Sequence, residues 1–301
     1  MNKLLIVGTV AFDSIETPDD KVDKILGGSA SYISICASYF NIQSAIVSIV
    51  GGDFPAKYFE IFNNRNIDIS SIKIEEDGKT FFWIGKYYEN MNKRDTIKTE
   101  VNSLANFDPK IPKDFTSPNV IVLGNLDPNV QLKVMDQIQN PATLTILDTM
   151  NFWMDHTMEN LNKIISKVNL ICINDEEVFQ LSGLESIIEG GKKILTMGPK
   201  FIIIKRGSNG AMLISESNVF ECPAFPVKKV KDPTGAGDSF AGGLAGHLTK
   251  INSASFDDIK NAVIYATATA SFSVEGFGVS GIEDISYSDI LNRVDFINKL
   301  L

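Results

Sequence analysis

The segment Asp232–Asp238, DPTGAGD, concentrates residue types that can handle an anion and a proton together. Pro233 stiffens the approach, and Gly235 and Gly237 bracket Ala236 in a turn whose amides are free to point outward. An apolar stripe of helical spacing follows, with Phe240, Leu244 and Leu248 flanked by Ala241 and Ala245. A glycine-rich turn feeding a helix presents unpaired N–H groups and the positive end of the helix dipole, which suits a phosphate or a developing negative charge. Asp238 stands at that point. A carboxylate among such amides is badly placed to grip the anion itself and well placed to take a proton from a hydroxyl attacking it. The competing reading is an N-cap aspartate after a flexible turn.

The elements around this segment read as an α/β fold. Lys3–Gly8 is a continuous apolar run ending in glycine, the pattern of a central parallel strand. Similar runs recur at Ala45–Val50, Val120–Leu123, Leu144–Leu147, Leu170–Ile173 and Phe201–Ile204, most of them separated by stretches of helical period. Such alternation implies βαβ units and a mostly parallel sheet covered on both faces, with ligands gathered at the carboxyl ends of the strands. The polar residues there include Asp13, Asp53, Asn125, Asp148, Asn151, Asn174 to Glu177, and Lys205 to Gly210. The segment Phe201–Ser215 has the form of a hairpin turning around Gly207 to Gly210, which would end the sheet in antiparallel fashion.

Two stretches break the alternation. Residues 17–28 are polar and end in the pair Gly27-Gly28, while residues 79–99 are aromatic and too β-prone for a helix. In the latter, Phe82, Ile84 and Tyr88 fall on one side and Phe81, Trp83 and Tyr87 on the other, so one face can pack on the protein and the other cover a ligand. A plain β-meander with an aromatic face at a subunit contact is equally compatible. After Gly28 a helix carries Tyr32, Ile35, Cys36 and Tyr39. Gly27-Gly28 serves either a close approach of backbone to ligand or loop flexibility. Near the end, Asp257–Val274 reads as a long helix rich in alanine and threonine, with Gly276 in the GFGVSG that follows.

Composition narrows the class. The 301 residues suffice for one large α/β domain, and no linker or repeat divides them. The excess of 37 acidic over 28 basic residues, net −9, argues against nucleic acid as a partner. Three cysteines without a CxxC pair point to reduced thiols and a cytoplasmic setting. The opening MNKLLIVGTVAF resembles a signal peptide only until Asp13 and Glu16, and no apolar run is long enough to span a bilayer. There is no G-x-x-x-x-G-K-[ST], no G-x-G-x-x-G after the first strand and no metal-ligand cluster. His156 and His247 are the only histidines, and His247, in the helix after Asp238, is read as a packing residue.

DPTGAGD closely resembles the signature of the ribokinase-like, PfkB-type carbohydrate kinases, usually D-T-x-G-A-G-D, and four further landmarks follow the family's order along nearly the whole chain. They are the Gly8 to Asp13 step, Gly27-Gly28, the N-x-x-E element at Asn174–Glu177, and the hairpin Lys205–Gly210. The resemblance implies a three-layer α/β/α core with a small β-sheet lid, formed by about 9–28 and 79–105, and transfer of the γ-phosphate of ATP to a hydroxymethyl group. It implies Asp238 as base, an anion hole of the Gly235, Ala236 and Gly237 amides, and nucleotide contacts from Asn174, Lys205, Gly207, Gly210, Thr234 and Gly276. Glu177 and Asn174 would hold Mg2+ through water. The acceptor would meet Asp13, Gly27, Gly28, Tyr32 and Trp83, with a small sugar the first expectation and a nucleoside its rival. A ligand-binding protein of the same fold without turnover is the reading from another class, and a homodimer through the lid is compatible with its aromatic sheet.

The sequence departs from the family pattern at three places. Pro233 replaces the usual threonine, which removes an N–H and leaves the need for a monovalent cation open. Tyr32 stands where many sugar-kinase relatives have asparagine, suited either to stacking on a base or to packing its helix. The D-x-N-x-R pattern common after a middle strand appears as Asp148-Thr-Met-Asn-Phe-Trp, without the arginine.

Overall fold

The computed structural model describes residues 1–91 and 93–301. In chain order the strands are β1 (Lys3–Val7), β2 (Ala11–Glu16), β3 (Lys21–Gly27), β4 (Gln43–Gly51), β5 (Ile67–Glu75), β6 (Phe82–Tyr87), β7 (Arg94–Glu100), β8 (Val120–Leu123), β9 (Leu144–Leu147), β10 (Leu170–Asn174), β11 (Phe201–Lys205), β12 (Ala211–Ile214) and β13 (Val219–Cys222). Nine of them form one sheet in the order β13-β12-β11-β10-β9-β8-β1-β4-β5. From β11 to β5 all neighbours are parallel, while β12 and β13 close one edge antiparallel, as the hairpin pattern anticipated.

The apolar runs are continuous because the central strands are buried on both faces. Along β1, Leu4 and Ile6 enter one core cluster and Leu5 and Val7 the other. The first cluster packs the sheet against helices Ser29–Ser38, Ala236–Ile251 and Phe256–Ser273; the second packs it against Pro128–Met135, Met158–Ile165, Asp175–Ser182 and Ile187–Leu195. The layers are therefore helix, sheet, helix. The helix Ala236–Ile251 lies close to its neighbours because it is rich in glycine: a Cβ on Gly242 would stand 2.5 Å from the Ile33 carbonyl oxygen, and one on Gly243 would stand 2.8 Å from Thr269 Oγ1. Overpacking at such positions costs about 1–3 kcal/mol, so the small residues fix where this helix begins relative to the sheet.

A second sheet of four strands has the order β3-β2-β6-β7. Strands β2 and β3 leave the large sheet after β1, and β6 and β7 leave it after β5, so both excursions start from the carboxyl ends of parallel strands. The small sheet consequently lies on the side where β9, β10 and β11 deliver Asp148, Asn174 and Lys205. Among the described residues no helix is long and apolar enough to cross a membrane, and the three cysteines are free and buried.

Candidate active site

The helix Ala236–Ile251 starts at an N-cap of Gly235, φ +75°, with no side-chain cap. Only glycine enters that conformation readily, and a Cβ there would also stand 2.3 Å from Cζ of Tyr32. Asp238 lies in the first turn and is not the cap, so the capping alternative fails and its carboxylate is left for other work. Of the three amides that the resemblance put in an anion hole, one is already engaged. The N–H of Ala236 donates to the Pro233 carbonyl at 3.3 Å, whereas those of Gly235 and Gly237 have no acceptor among the described residues. Asp232, fully buried, pins this turn from beneath by accepting from the N–H of Thr234 at 2.9 Å and of Gly278 at 3.1 Å.

Lys205, at the end of β11, reaches the same turn. Its Nζ lies 3.2 Å from Asp148 Oδ1 and would be 3.1 Å from a Cβ on Gly237. Burial opposes its charge, but Asp148, with smaller contributions from Glu177 and Asp238, holds it protonated. Asn174 and Glu177 form a capping box: Glu177 N–H donates to Asn174 Oδ1 at 2.8 Å, and Asn174 N–H donates to Glu177 Oε2 at 2.8 Å. Half of each side chain is thereby committed to the helix, leaving Glu177 Oε1 and the Asn174 amide nitrogen. Among the described residues no group of three or more His, Cys, Asp or Glu side chains could hold a metal directly. What remains fits an ion that arrives on a polyphosphate and is reached through water.

Burial raises four carboxyls, Asp13, Glu177, Asp232 and Asp238, three of them to about 7. Asp238 is raised to about 7 by burial and by Asp148, against Lys205 and Arg94. Asp13 is raised to about 7 by burial and by Asp232 and Asp238. Glu177 is raised to about 7 by burial and Asp148, against Lys205. Carboxyls raised in this way beside a buried lysine make the place a candidate for proton transfer.

The small sheet shuts over this centre. Asp13 on β2 pairs in register with Trp83 on β6, so Trp83 shares the face of Asp13, while Phe82, on the other face, packs against the core cluster that contains Phe12. Tyr87 and Thr234 share a hydrogen bond of 3.0 Å between their hydroxyls. The Trp83 ring lies over Gly85, donates to Thr96 Oγ1 at 3.2 Å, and has the Arg94 guanidinium 5.4 Å from its centroid. Gly27 has a packing reason, since a Cβ would fall 1.9 Å from Asp13 Oδ2; Gly28, at φ +90°, is pressed against the Thr9 carbonyl. Gly207 and Gly210 serve the turn between β11 and β12, at φ +54° and +82°, and Gly276 passes closely over Gly281.

Tyr32 corrects an expectation. It is 1% exposed, with its ring tip under Gly235, so neither face is open to a base; of the two readings of this residue, packing is the one realised. His247 is buried and stacked on Tyr265 at 4.1 Å, as a packing residue. Sequence reasoning passed over Arg94, whose charge bears on Asp13, Glu177 and Asp238 from the small sheet. No local signal marks it; only the β6–β7 register, which sets Arg94 opposite Tyr87, carries it there. Asp148 was visible as a polar residue after a strand, but its ion pair with Lys205 was not.

A family model described as pfkB family carbohydrate kinase matches residues 1–285. A cytidine kinase of Thermococcus kodakarensis is 28% identical over 251 residues, covering 82% of this chain and 89% of that protein. The crystal structure of a Methanocaldococcus jannaschii nucleoside kinase, an archaeal member of the ribokinase family, superposes with a TM-score of 0.79 at 22% identity over 98% of this chain and 99% of that one. Aminoimidazole riboside kinase from Salmonella enterica, solved with aminoimidazole riboside and an ATP analog, gives a TM-score of 0.74 at 18% identity, covering 97% of this chain and all (100%) of that one.

Proposed function

The chain belongs to the pfkB family of carbohydrate kinases, and on that premise we propose that it moves the γ-phosphoryl group of ATP to the hydroxymethyl group of a nucleoside. The observation that carries the choice of acceptor is Trp83 beside Asp13 on one face of the small sheet. A carboxylate able to take ribose hydroxyls next to an aromatic face able to take a base matches a nucleoside better than a bare sugar. The names of the Thermococcus and Methanocaldococcus relatives point the same way. We therefore set the nucleoside ahead of the small sugar that sequence alone put first.

In this reading the acceptor hydroxyl lies against Asp238, whose carboxylate takes its proton as the oxygen attacks the γ-phosphorus and the bond to the ADP oxygen breaks. Charge on the peripheral phosphoryl oxygens meets the free N–H groups of Gly235 and Gly237, the helix dipole and Lys205. Glu177 and Asn174 would hold Mg2+ through water, and the ion would supply charge neutralisation on the polyphosphate. Thr234, Gly207, Gly210 and Gly276 border the nucleotide. The small sheet acts as a lid, with Tyr87 latched on Thr234, and excludes the water that would compete for the phosphoryl group.

The test is a panel of nucleosides and sugars with Mg-ATP, run beside Asp238→Ala. Nucleosides should be phosphorylated with the higher kcat/KM, and Asp238→Ala should lose on the order of 10²–10⁴ in rate. A sugar favoured over every nucleoside would overturn the acceptor, and a fully active variant would overturn the base. Trp83→Ala should weaken nucleoside binding more than ATP binding; equal weakening counts against a base on Trp83.

A further inference from the structure

The cations on the strands of the small sheet are all engaged but one. Lys21 and Lys86 lie 3.4 and 2.6 Å from Glu16, Lys98 lies 2.5 Å from Glu100, and Lys24 rests 5.4 Å from the ring centroid of Phe82, on the other face. The exception is Arg94 on β7, which among the described residues forms no ion pair; its guanidinium lies 5.4 Å from the Trp83 ring centroid. In the β6–β7 register Arg94 stands opposite Tyr87, and the Tyr87 hydroxyl is 3.0 Å from Thr234 Oγ1 in the turn that leads to Asp238. Two strands of fixed register thus carry an unpaired cation to the signature turn. The residue is exposed on the edge strand, yet its guanidinium comes near enough to the centre for desolvation to oppose its charge and for Tyr87, Glu177 and Asp238 to sustain it.

The charges of the centre say what this cation is for. A phosphoryl group arriving there brings negative charge among Asp13, Glu177 and Asp238, and repulsion from those carboxylates has to be offset. On the side of the large sheet the free N–H groups of Gly235 and Gly237 and the Lys205 ammonium address it, but Lys205 is already shared with Asp148 at 3.2 Å. On the side of the small sheet Lys21, Lys86 and Lys98 are held by their own carboxylates, so Arg94 is the cation left to meet the group. A guanidinium suits that use, being planar, always charged and able to set paired N–H donors against phosphoryl oxygens.

We propose that Arg94 is a catalytic residue of the small sheet, whose guanidinium donates to the peripheral oxygens of the transferring phosphoryl group from the side opposite the Gly235 and Gly237 amides. The inference rests on the kinase reading above and deepens it. Arg94 keeps its protons throughout and acts by charge and hydrogen bonds that strengthen as the phosphoryl group passes to the acceptor. The guanidinium leaves the Trp83 ring as it turns to the phosphoryl group, which frees that ring for the acceptor's base.

The experiment compares wild type with Arg94→Met and Arg94→Lys, using Mg-ATP and whichever nucleoside wild type phosphorylates with the highest kcat/KM, at about pH 7 and about pH 9. Both variants should melt within about 2 °C of wild type, because the residue lies on an exposed edge strand. Arg94→Met should lower kcat on the order of 10²–10³-fold at both pH values, while KM for the nucleoside and for ATP moves less than about threefold. Arg94→Lys keeps the charge without the planar fork and should recover about tenfold of that loss. A readout apart from turnover is calorimetric binding of Mg-ADP with aluminium fluoride and the nucleoside, which stands in for the phosphoryl group in transit. Wild type should hold that combination at least about 10²-fold more tightly than Arg94→Met, with Mg-ADP alone bound equally by both. Full recovery of Arg94→Met at about pH 9 would reduce Arg94 to a charge that keeps Asp238 ionised and overturn the assignment. A kcat within about threefold of wild type, or equal affinity for the fluoroaluminate combination, would overturn it as well. If wild type phosphorylates no nucleoside or sugar, the kinase reading itself fails and Arg94 falls with it, an outcome distinct from a loss confined to the variants.

Discussion

Replacing Asp238 with asparagine should slow the reaction sharply and, at pH 8, make the protein more stable. The carboxyl is raised from 3.8 to about 7, first by burial and then by Asp148, with Lys205 and Arg94 pulling the other way. Between those two values the folded protein holds a proton that the unfolded chain has released, so the site's contribution to stability falls as pH rises from about 4 to about 7 and stays low above. The gap sets a ceiling of about 4 kcal/mol. Partial exposure of Asp238 and penetrating water reduce this to about 1–2 kcal/mol, and in a chain of this size about 1 kcal/mol moves Tm by roughly 2 °C. Asparagine keeps the shape and removes the charge. The expected result is a Tm gain of about 2–4 °C at pH 8 that shrinks at pH 5, measured by calorimetry on the free protein. The same substitution removes the base, so kcat should fall by about 10²–10⁴. Wild-type kcat/KM should drop about tenfold per pH unit below about 7. A rate within tenfold of wild type, or a Tm gain at pH 5 as large as at pH 8, would refute the linkage between buried charge and catalysis.

Two glycine substitutions should separate fold from chemistry. Gly235→Ala forces φ +75° on a Cβ that meets the Tyr32 ring at 2.3 Å, so it should cost about 3 kcal/mol or more by denaturant melts. Gly237→Ala puts its Cβ 3.1 Å from the flexible end of Lys205, so stability should change by less than about 1 kcal/mol while kcat falls at least tenfold as the lysine is displaced. Lys205→Met leaves Asp148 as an unpaired buried charge and should cost about 3–5 kcal/mol of stability; adding Asp148→Asn should restore most of it without restoring turnover. Recovered activity in the double variant would show the pair to be structural alone.

Much of this molecule follows from short-range pattern. The central strands were legible because burial on both faces demands unbroken apolar runs; Asn174–Glu177 was picked out by its resemblance to the N-x-x-E element, and its capping box came with the structure. Strand β5, IDISSIKIE, escaped notice: at the sheet edge only Ile67 and Ile72 are buried, and it shows no apolar run. DPTGAGD, through its glycines and Asp238, reads from local spacing alone as a candidate for an anion and a proton acceptor. What sequence left open depended on contacts between distant segments. Whether Tyr32 stacks on a ligand or packs is decided by how closely two helices meet under Gly235, and whether Arg94 matters is decided by strand register in the small sheet. Local spacing determines which groups exist and which helix end presents them; only tertiary packing removes water from Asp13, Glu177 and Asp238, and that desolvation turns ordinary carboxylates into groups poised near neutrality.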